Sequence, residues 1–566
     1  MATAASSLAY HEPAITTVIT LSCFLLLLNG VNYGLDRLVY CGLIGQVAIG
    51  IAWGTPGAKW LSAEMEHSVV QLGYLGLILI VFEGGLSTSF KSLRANLLLS
   101  AAVATTGIAV PIGLSFTLGS IAGATPLQAF AAGAALCSTS LGTTFTVLGT
   151  SGLMTTRMGV VLASAAMMDD VVGLIMVQVI SNLGGGGEFG AIAVVRPVLV
   201  SLGFATLVPV ACKFVAEPVT RRLNEMREKS PDSRLDRLLR LRQTALVIHT
   251  CWLFGLVVGG TFAGTSGLLA AYMAGATISW WDSEVPHVAA RAESAEEASA
   301  ATSPTAGAAS GVDEENAYNS GVGVYEHCYG KAVENVLKPF FFASVGFSVP
   351  ITRMFSGPIL WRGAVYTILM MMSKMICGVW LLSFASPLQT VQRLAKNASG
   401  ASKKQSQKLA PGAQCGGART DAPVNDDIRP LPGQQLEQDG QAGEAPLQPP
   451  NAQQGESTPS DASPGPEMPV SVYPACILGF AMISRGEIGY LISALAESTG
   501  VFNGGSGAQS QPSEMFLIVT WAITLCTIVG PVCVGLLVNR VKRLETQHGK
   551  GNKGGGRNVL GAWGVN

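Results

Sequence analysis

Apolar residues of this chain lie in long blocks of about 18–25 residues, which short polar breaks separate. A transmembrane helix needs about 20 consecutive apolar residues, so each block predicts one membrane-spanning helix. The pattern therefore predicts an all-α polytopic membrane protein with about thirteen transmembrane helices. The predicted spans cover residues 14–33, 36–53, 66–84, 97–118, 124–150, 157–182, 193–217, 243–262, 264–282, 330–351, 359–385, 470–497 and 514–538.

Two long polar stretches interrupt this series of spans and divide the chain into six segments. Both stretches contain too little apolar surface to fold, so each predicts a disordered cytoplasmic loop. A neutral insertion is the favoured interpretation of both loops, and a regulatory role is the alternative. The segments are 1–282 with spans 1–9, the loop 283–325, 326–385 with spans 10 and 11, the loop 386–469, 470–538 with spans 12 and 13, and the cytoplasmic tail 539–566.

Basic residues predict the orientation, because cytoplasmic loops of membrane proteins carry an excess of Lys and Arg. Residues 221–242 and 539–543 are densely basic, and the turn after the third span contains Lys91 and Arg94. An odd number of spans places all three segments on the same side as the C-terminus. We therefore expect a cytoplasmic C-terminus and an N-terminus that is outside or lumenal.

Composition agrees with the membrane class and excludes several others. Charged residues make up 13% of the chain, against roughly 25% in soluble globular proteins. A formal net charge of −1 gives no reason to expect nucleic acid as a partner. The 11 cysteines include no C-x-x-C pair, so they predict apolar packing rather than a disulfide or metal framework.

Two adjacent carboxylates, Asp169 and Asp170, sit in the middle of the sixth apolar block. One charged Asp at the centre of a membrane helix costs about 2.5–3.5 kcal/mol on insertion scales, so such residues are rare unless they are used. Neighbours on one helix diverge by about 100°, so one can face a protein cation while the other faces a water-filled cavity. The doublet predicts a site for a proton and a small cation; the alternative is a loop with both Asp at a helix N-terminus.

A weak internal repeat relates Gly42–Gly50 in the second span to Gly267–Gly275 in the ninth. An offset of seven spans makes the two copies cross the membrane in opposite directions, as in the inverted repeats of secondary transporters. Close helix packing is the alternative explanation of such glycines. The same offset pairs the fifth span with the twelfth, and both contain polar interruptions, Cys137–Thr144 and Ser484–Gly489. Paired interrupted helices predict the binding site of a transporter.

Three further charged residues lie deep in predicted spans. Lys374 in the eleventh span is the natural counter-ion of the doublet, because a buried Lys is costly unless a carboxylate pairs with it. Snorkelling to the membrane interface is the alternative. Arg485 and Glu487 lie two residues apart in the interrupted twelfth span, where they predict local pairing or capping of the broken helix ends.

Taken together, these motifs resemble the monovalent cation:proton antiporter superfamily, that is, the sodium/hydrogen exchanger family. The double Asp and the membrane Lys resemble its second branch. Each motif is weak alone, but their order along the chain is a strong joint signal. The motifs are Gly133–Ser140, Ser164–Gly173 with the doublet, Phe341–Gly346, Lys374, and Arg485-Gly486-Glu487.

The resemblance implies a secondary active antiporter, not an enzyme, that exchanges protons for Na⁺, with Li⁺ or K⁺ as further candidates. It implies a homodimer in the lipid bilayer whose core domain moves against a dimerisation domain, and it implies no cofactor. Asp170 would be the main carrier of cation and proton, and Asp169 would pair with Lys374. Thr139 and Ser140 would lie where two interrupted helices cross.

Two alternatives stay open and one is rejected. A sodium-coupled symporter of an organic solute would have the same kind of fold, with interrupted helices around a buried ion site. A potassium/proton efflux transporter is the other alternative. An intramembrane aspartyl protease needs two carboxylates that share one proton at about 3 Å, from separate helices. Neighbours on one helix cannot meet that geometry.

Overall fold

The computed structural model describes residues 12–39, 41–88, 96–140, 153, 156–184, 191–230, 233–239, 242–284, 320–384, 472–503, 512–551, 560 and 563. Every regular element within these residues is helical. The predicted loop 386–469 lies outside them, as do most of the loop 283–325 and the last ten residues of the predicted fifth span.

The first half of the chain contributes twelve described helices to the structure. They are α1 (Ile15–Val39), α2 (Leu43–Trp53), α3 (Ala63–Leu86), α4 (Leu97–Ser115), α5 (Leu118–Ala122), α6 (Pro126–Ala135), α7 (Arg157–Leu183), α8 (Ala191–Ala211), α9 (Glu217–Lys229), α10 (Arg234–Leu239), α11 (Arg242–Ala263) and α12 (Gly267–Glu284). A π-helical turn, Cys212–Ala216, joins α8 to α9 without a break.

The second half contributes eight more described helices, which are α13 (Gly321–Tyr325), α14 (Lys338–Phe347), α15 (Ile351–Met354), α16 (Gly357–Met375), α17 (Val379–Phe384), α18 (Tyr473–Ile483), α19 (Glu487–Ser498) and α20 (Glu514–Gly551). Two π-helical turns, Glu326–Gly330 and Val333–Leu337, interrupt the run from α13 to α14. A short 3₁₀ turn, Ile376–Gly378, follows α16.

Nine of the described helical runs are long and apolar enough to cross a membrane. The all-α membrane fold class is thereby confirmed, whereas the count of thirteen spans and the inverted repeat stay predictions. The glycines of the repeat allow close packing: a Cβ at Gly50 would overlap the carbonyl of Ala343, and one at Gly275 would overlap that of Phe82. The structure thus shows the close helix packing that the sequence left open as the alternative explanation of these glycines.

Two segments differ from the prediction near the membrane surface. Residues 221–242, expected as a basic loop, contain α10 and most of α9, in which Arg221 pairs with Glu217 at 2.7 Å. This i,i+4 spacing supports a helix even in a charge-rich segment. The tenth span begins earlier than expected, because α13 starts at Gly321 with Ser320 as its N-cap.

The long helices pack in two groups. In the first group, α3 packs against α12 and α14, α14 also contacts α2, and α11 contacts α12. In the second group, α4 and α19 pack against α7, while α16 and α18 pack against α20. The second group contains the acidic doublet, the membrane Lys and both interrupted segments, so it positions the site.

Candidate functional site

The site is built where two helical runs are broken and meet each other. Helix α6 starts with a capping box at Thr125 and ends at Ala135, and residues 138–140 beyond it are non-helical. Residues 484–486 are likewise non-helical and separate α18 from α19. The backbone N–H of Ser140 donates to the carbonyl of Ser484 at 2.9 Å, so the two interruptions contact each other directly.

Glycine allows this close crossing of the two backbones. A Cβ added at Gly486 would lie 2.7 Å from both Cβ and Oγ of Ser140. On the neighbouring helix α7, a Cβ at Gly173 would lie 2.9 Å from the Cβ of Ser138. Side chains at these two positions would therefore push the interrupted segments apart and away from α7.

Helix α7 carries the doublet and starts at Arg157, with Thr156 as its N-cap. Asp169 is fully buried, and its Oδ2 atom lies 2.7 Å from Nζ of Lys374, which is also fully buried. The hydroxyl of Thr139 donates to the same Oδ2 atom at 2.8 Å. Asp169 Oδ1 has no hydrogen-bond partner within the described residues. Asp169 is therefore held by an ion pair and a hydroxyl.

Lys374 links the doublet helix to the interrupted segment after α6. Its ammonium donates to the carbonyl of Cys137 at 2.6 Å, to the hydroxyl of Thr139 at 3.0 Å, and to Asp169. An ammonium has three donors, so these three contacts satisfy it completely. A buried Lys with every donor occupied is fixed in place, and snorkelling to the interface is excluded.

Asp170 has a different environment from its neighbour. The hydroxyl of Ser138 donates to its Oδ1 atom at 3.0 Å, and the residue is only partly buried. No Lys or Arg of the described residues forms an ion pair with it. Glu487, the first residue of α19, is close enough for its charge to interact with that of Asp170. Asp170 is thus the carboxylate of the doublet that has no ion-pair partner among the described residues.

Arg485 is fully buried in the second interruption. The Nη1 atom of Arg485 donates to the carbonyl of Ser138 at 2.8 Å. The hydroxyl of Thr527 on α20 donates to the backbone carbonyl of Arg485 at 3.0 Å. Arg485 forms no ion pair with Glu487 in the described structure. Lys374 and Arg485 therefore bind two successive carbonyls beyond the C-terminal end of α6, where a helix dipole favours positive charge.

Comparison with known proteins assigns the chain to a family. The profile described as "Sodium/hydrogen exchanger, transmembrane" matches residues 23–403. The chain belongs to the sodium/hydrogen exchanger family. The predicted membership is confirmed, as is the prediction of a transporter rather than an enzyme, because the curated relatives of this chain are ion antiporters.

Curated relatives share about 30% identity with this chain over part of their length. It is 28% identical to the Na(+)/H(+)-K(+) antiporter GerN of Bacillus cereus over 243 residues, which are 43% of this chain and 58% of that protein. It is 32% identical to the high-affinity Na(+)/H(+) antiporter NhaS3 of Synechocystis over 165 residues, 29% of this chain and 36% of that protein. The matches thus span between about a third and three-fifths of these relatives.

A solved structure supports the same fold at lower sequence similarity. The sodium proton antiporter MjNhaP1 from Methanocaldococcus jannaschii superposes on this chain with a TM-score of 0.52. The superposition covers 93% of this chain and 98% of that chain, and the two sequences are 12% identical. At that identity the similarity shows the fold alone.

Every described residue of the predicted site lies at or beside the crossing of the two interrupted segments. The two carboxylates of the doublet have different hydrogen-bond partners. Asp169, Lys374 and Thr139 form one hydrogen-bonded cluster, while Asp170 binds Ser138. Thr143 and Thr144 of the fifth-span motif lie outside the described residues.

Sequence reasoning missed two residues that the structure places in the site. Ser138 supplies the hydrogen bond to Asp170, and its position inside the Cys-Ser-Thr-Ser motif was the available signal. Gly107 on α4 faces the ion pair, since a Cβ there would lie 3.1 Å from Nζ of Lys374 and 3.4 Å from Oδ2 of Asp169. No sequence pattern singles out Gly107 among the 67 glycines.

Proposed function

We propose that this chain exchanges protons for monovalent cations across a membrane, and that Asp170 is the carboxylate that binds either ion. The observation that supports this assignment is the difference between the two carboxylates of the doublet. Asp169 already forms an ion pair with Lys374, whereas Asp170 accepts a hydrogen bond from Ser138 and has no ion-pair partner in the part of the chain that the structure describes. An ion that arrives at the site therefore meets one carboxylate whose charge is still free.

The charges of the cluster support a monovalent ion. Two cationic side chains, Lys374 and Arg485, lie in one cluster with three carboxylates, Asp169, Asp170 and Glu487. When all five groups are ionised, one negative charge is left over, which one proton or one alkali cation neutralises. Because carboxylate and hydroxyl oxygens suit hard cations, the same atoms serve Na⁺ or K⁺. Two ions that compete for one carboxylate are carried in opposite directions.

Na⁺ is the first candidate for the cation and K⁺ is the second. Both of these curated relatives are Na⁺/H⁺ antiporters by name, and the name of GerN also includes K⁺. The sodium-coupled symporter of an organic solute remains the alternative from another class. Exchange that needs only Na⁺ and protons would reject that alternative.

Alternating access completes the proposal. All of the site residues lie on the second helix group, so we propose that this group moves against the first and carries the ion with it. We further propose a homodimer with a cytoplasmic C-terminus and an outside or lumenal N-terminus. The basic helix α9 and the basic end of α20 support that orientation.

Proteoliposomes loaded with a pH-sensitive dye test the proposal. Addition of Na⁺ to vesicles with an imposed pH gradient should collapse the gradient with the wild-type protein and not with Asp170→Asn. Glu64→Gln, a change of an exposed carboxylate in the first turn of α3, is the matched control and should transport normally. Gradient collapse that persists in Asp170→Asn would refute the assignment of Asp170.

A further inference from the structure

A cavity of about 620 Å³ lies beside α7, the helix that carries the acidic doublet. Its wall on α7 is formed by Met167, Met168, Val171 and Val172. At 100° per residue, the mean direction of these four side chains differs by about half a turn from that of the two carboxylates. These four side chains thus point away from the carboxylates on α7, whereas Tyr272 on another wall is close enough to Asp170 to interact with its charge.

The other walls come from α8 and α12, so the cavity lies between the two helix groups. Helix α12 packs against α3 in the first group, and its wall residues include Met273 and Trp280. Helix α8 contributes Ala205 and Val210, and Val210 is exposed on the outer surface of the helix. The cavity is thus apolar over most of its wall and opens toward the surrounding lipid.

Lys213 is the charged residue among those that line this cavity. It lies on the π-helical turn that follows α8, and π-helical turns occur frequently at functional sites. Counted from Val194, where the apolar run of this helix starts, it lies about 29 Å along the axis, which is the thickness of the hydrocarbon layer. Its ammonium is exposed and has no carboxylate in ion-pair range among the described residues.

The neighbourhood of Lys213 has the composition of a membrane interface. Trp280 lines the same cavity near the end of α12, and Trp residues concentrate at the headgroup level of a bilayer. An unpaired cation at that depth, above an apolar groove, fits a ligand with a negative head and hydrocarbon tails. Basic pockets between transmembrane helices bind anionic lipid headgroups in this way.

We propose that this cavity binds an anionic phospholipid, with the phosphate at Lys213 and one acyl chain along the apolar wall of α7. The lipid would contact both helix groups behind the ion site. Its binding can be measured without any transport, so this proposal and the proposed exchange fail independently.

Native mass spectrometry of the purified protein in detergent tests the proposal. Phosphatidylglycerol and phosphatidylcholine with the same acyl chains are titrated separately, and glycerol phosphate serves as the soluble anion. We expect about fivefold tighter binding of phosphatidylglycerol, the contribution of one Lys near a membrane surface. Lys213→Gln should remove this preference, and the matched control Lys331→Gln, at an exposed lysine outside the cavity, should keep it.

A second variant tests the groove without changing its charge. Ala205→Phe places a ring in the cavity and should weaken phosphatidylglycerol binding while Lys213 remains. Equal binding of the two lipids by the wild-type protein would overturn the proposal, as would an unchanged preference in Lys213→Gln. Glycerol phosphate that competes as well as the lipid would assign Lys213 to a free anion instead.

Discussion

Replacement of Lys374 by Met tests the buried ion pair most directly. The change removes one charge and three hydrogen bonds, and it leaves the fully buried Asp169 carboxylate with only the Thr139 hydroxyl. Breaking a buried pair in this way typically costs 3–5 kcal/mol, because the remaining charge is uncompensated. We expect Lys374→Met to lower the free energy of unfolding by about that amount.

The double variant Asp169→Asn/Lys374→Met separates the pair from other effects of the substitution. Asn has no negative charge that would be left unpaired. We therefore expect the double variant to lose about 1–3 kcal/mol less free energy of unfolding than the sum of the losses in the two single variants. Asp170→Asn is the control on the same helix. It removes a carboxylate that has no ion-pair partner among the described residues, so the free energy of unfolding should fall by no more than about 1 kcal/mol, the value of one hydrogen bond.

Equilibrium unfolding in mixed micelles, followed by the fluorescence of the nine tryptophans, measures these differences. The midpoint and the slope should both be compared, because a changed slope indicates a changed unfolded state. Additive effects of Asp169→Asn and Lys374→Met would refute the ion pair. Equal destabilisation by Lys374→Met and Asp170→Asn would refute the different roles of the two carboxylates.

Two further predictions concern the crossing and the ion. Gly486→Ala should reduce transport on the order of ten- to hundredfold, because its Cβ would meet Ser140 at 2.7 Å and displace the site. Gly84→Ala, where a Cβ meets nothing within 4 Å, is the control, and equal rates would contradict the argument. Na⁺ at about 100 times its Kd should stabilise the protein by about 2.7 kcal/mol in a melting assay; equal stabilisation of Asp170→Asn would place the cation elsewhere.

The sequence predicted the members of the site better than their contacts. Burial of charge in apolar blocks was enough to select Asp169 and Lys374 and to pair them, since an isolated buried charge is strongly disfavoured. The seven-span offset of the repeat, together with polar interruptions in the fifth and twelfth spans, was enough to select both interrupted segments. The structure brings all of these together, and Ser140 and Ser484 meet through their backbones.

The contacts themselves depend on how distant segments cross in the fold. The pattern of apolar and polar residues within one segment does not determine that crossing. Arg485 was expected to pair locally with Glu487 or to cap broken helix ends. It donates to the Ser138 carbonyl, 347 positions away and beyond the end of α6, and the sequence did not predict this partner. Gly107 faces the ion pair only because α4 packs against α7 and α16. Neither contact follows from spacing along one helix, so neither was predictable from one sequence.

The step of about 100° between neighbouring residues of a helix explains why one doublet provides two functions. Turned one way, Asp169 meets Lys374 and the carbonyl-rich end of α6, where positive charge is already concentrated. Turned the other way, Asp170 meets a hydroxyl and lies near a further carboxylate, Glu487. The first carboxylate thus fixes the interrupted helices around the second, and a single Asp at either position would lack one of these two properties. A site with Asp169 alone would be neutral and inert, whereas Asp170 alone would leave Lys374 buried without its partner.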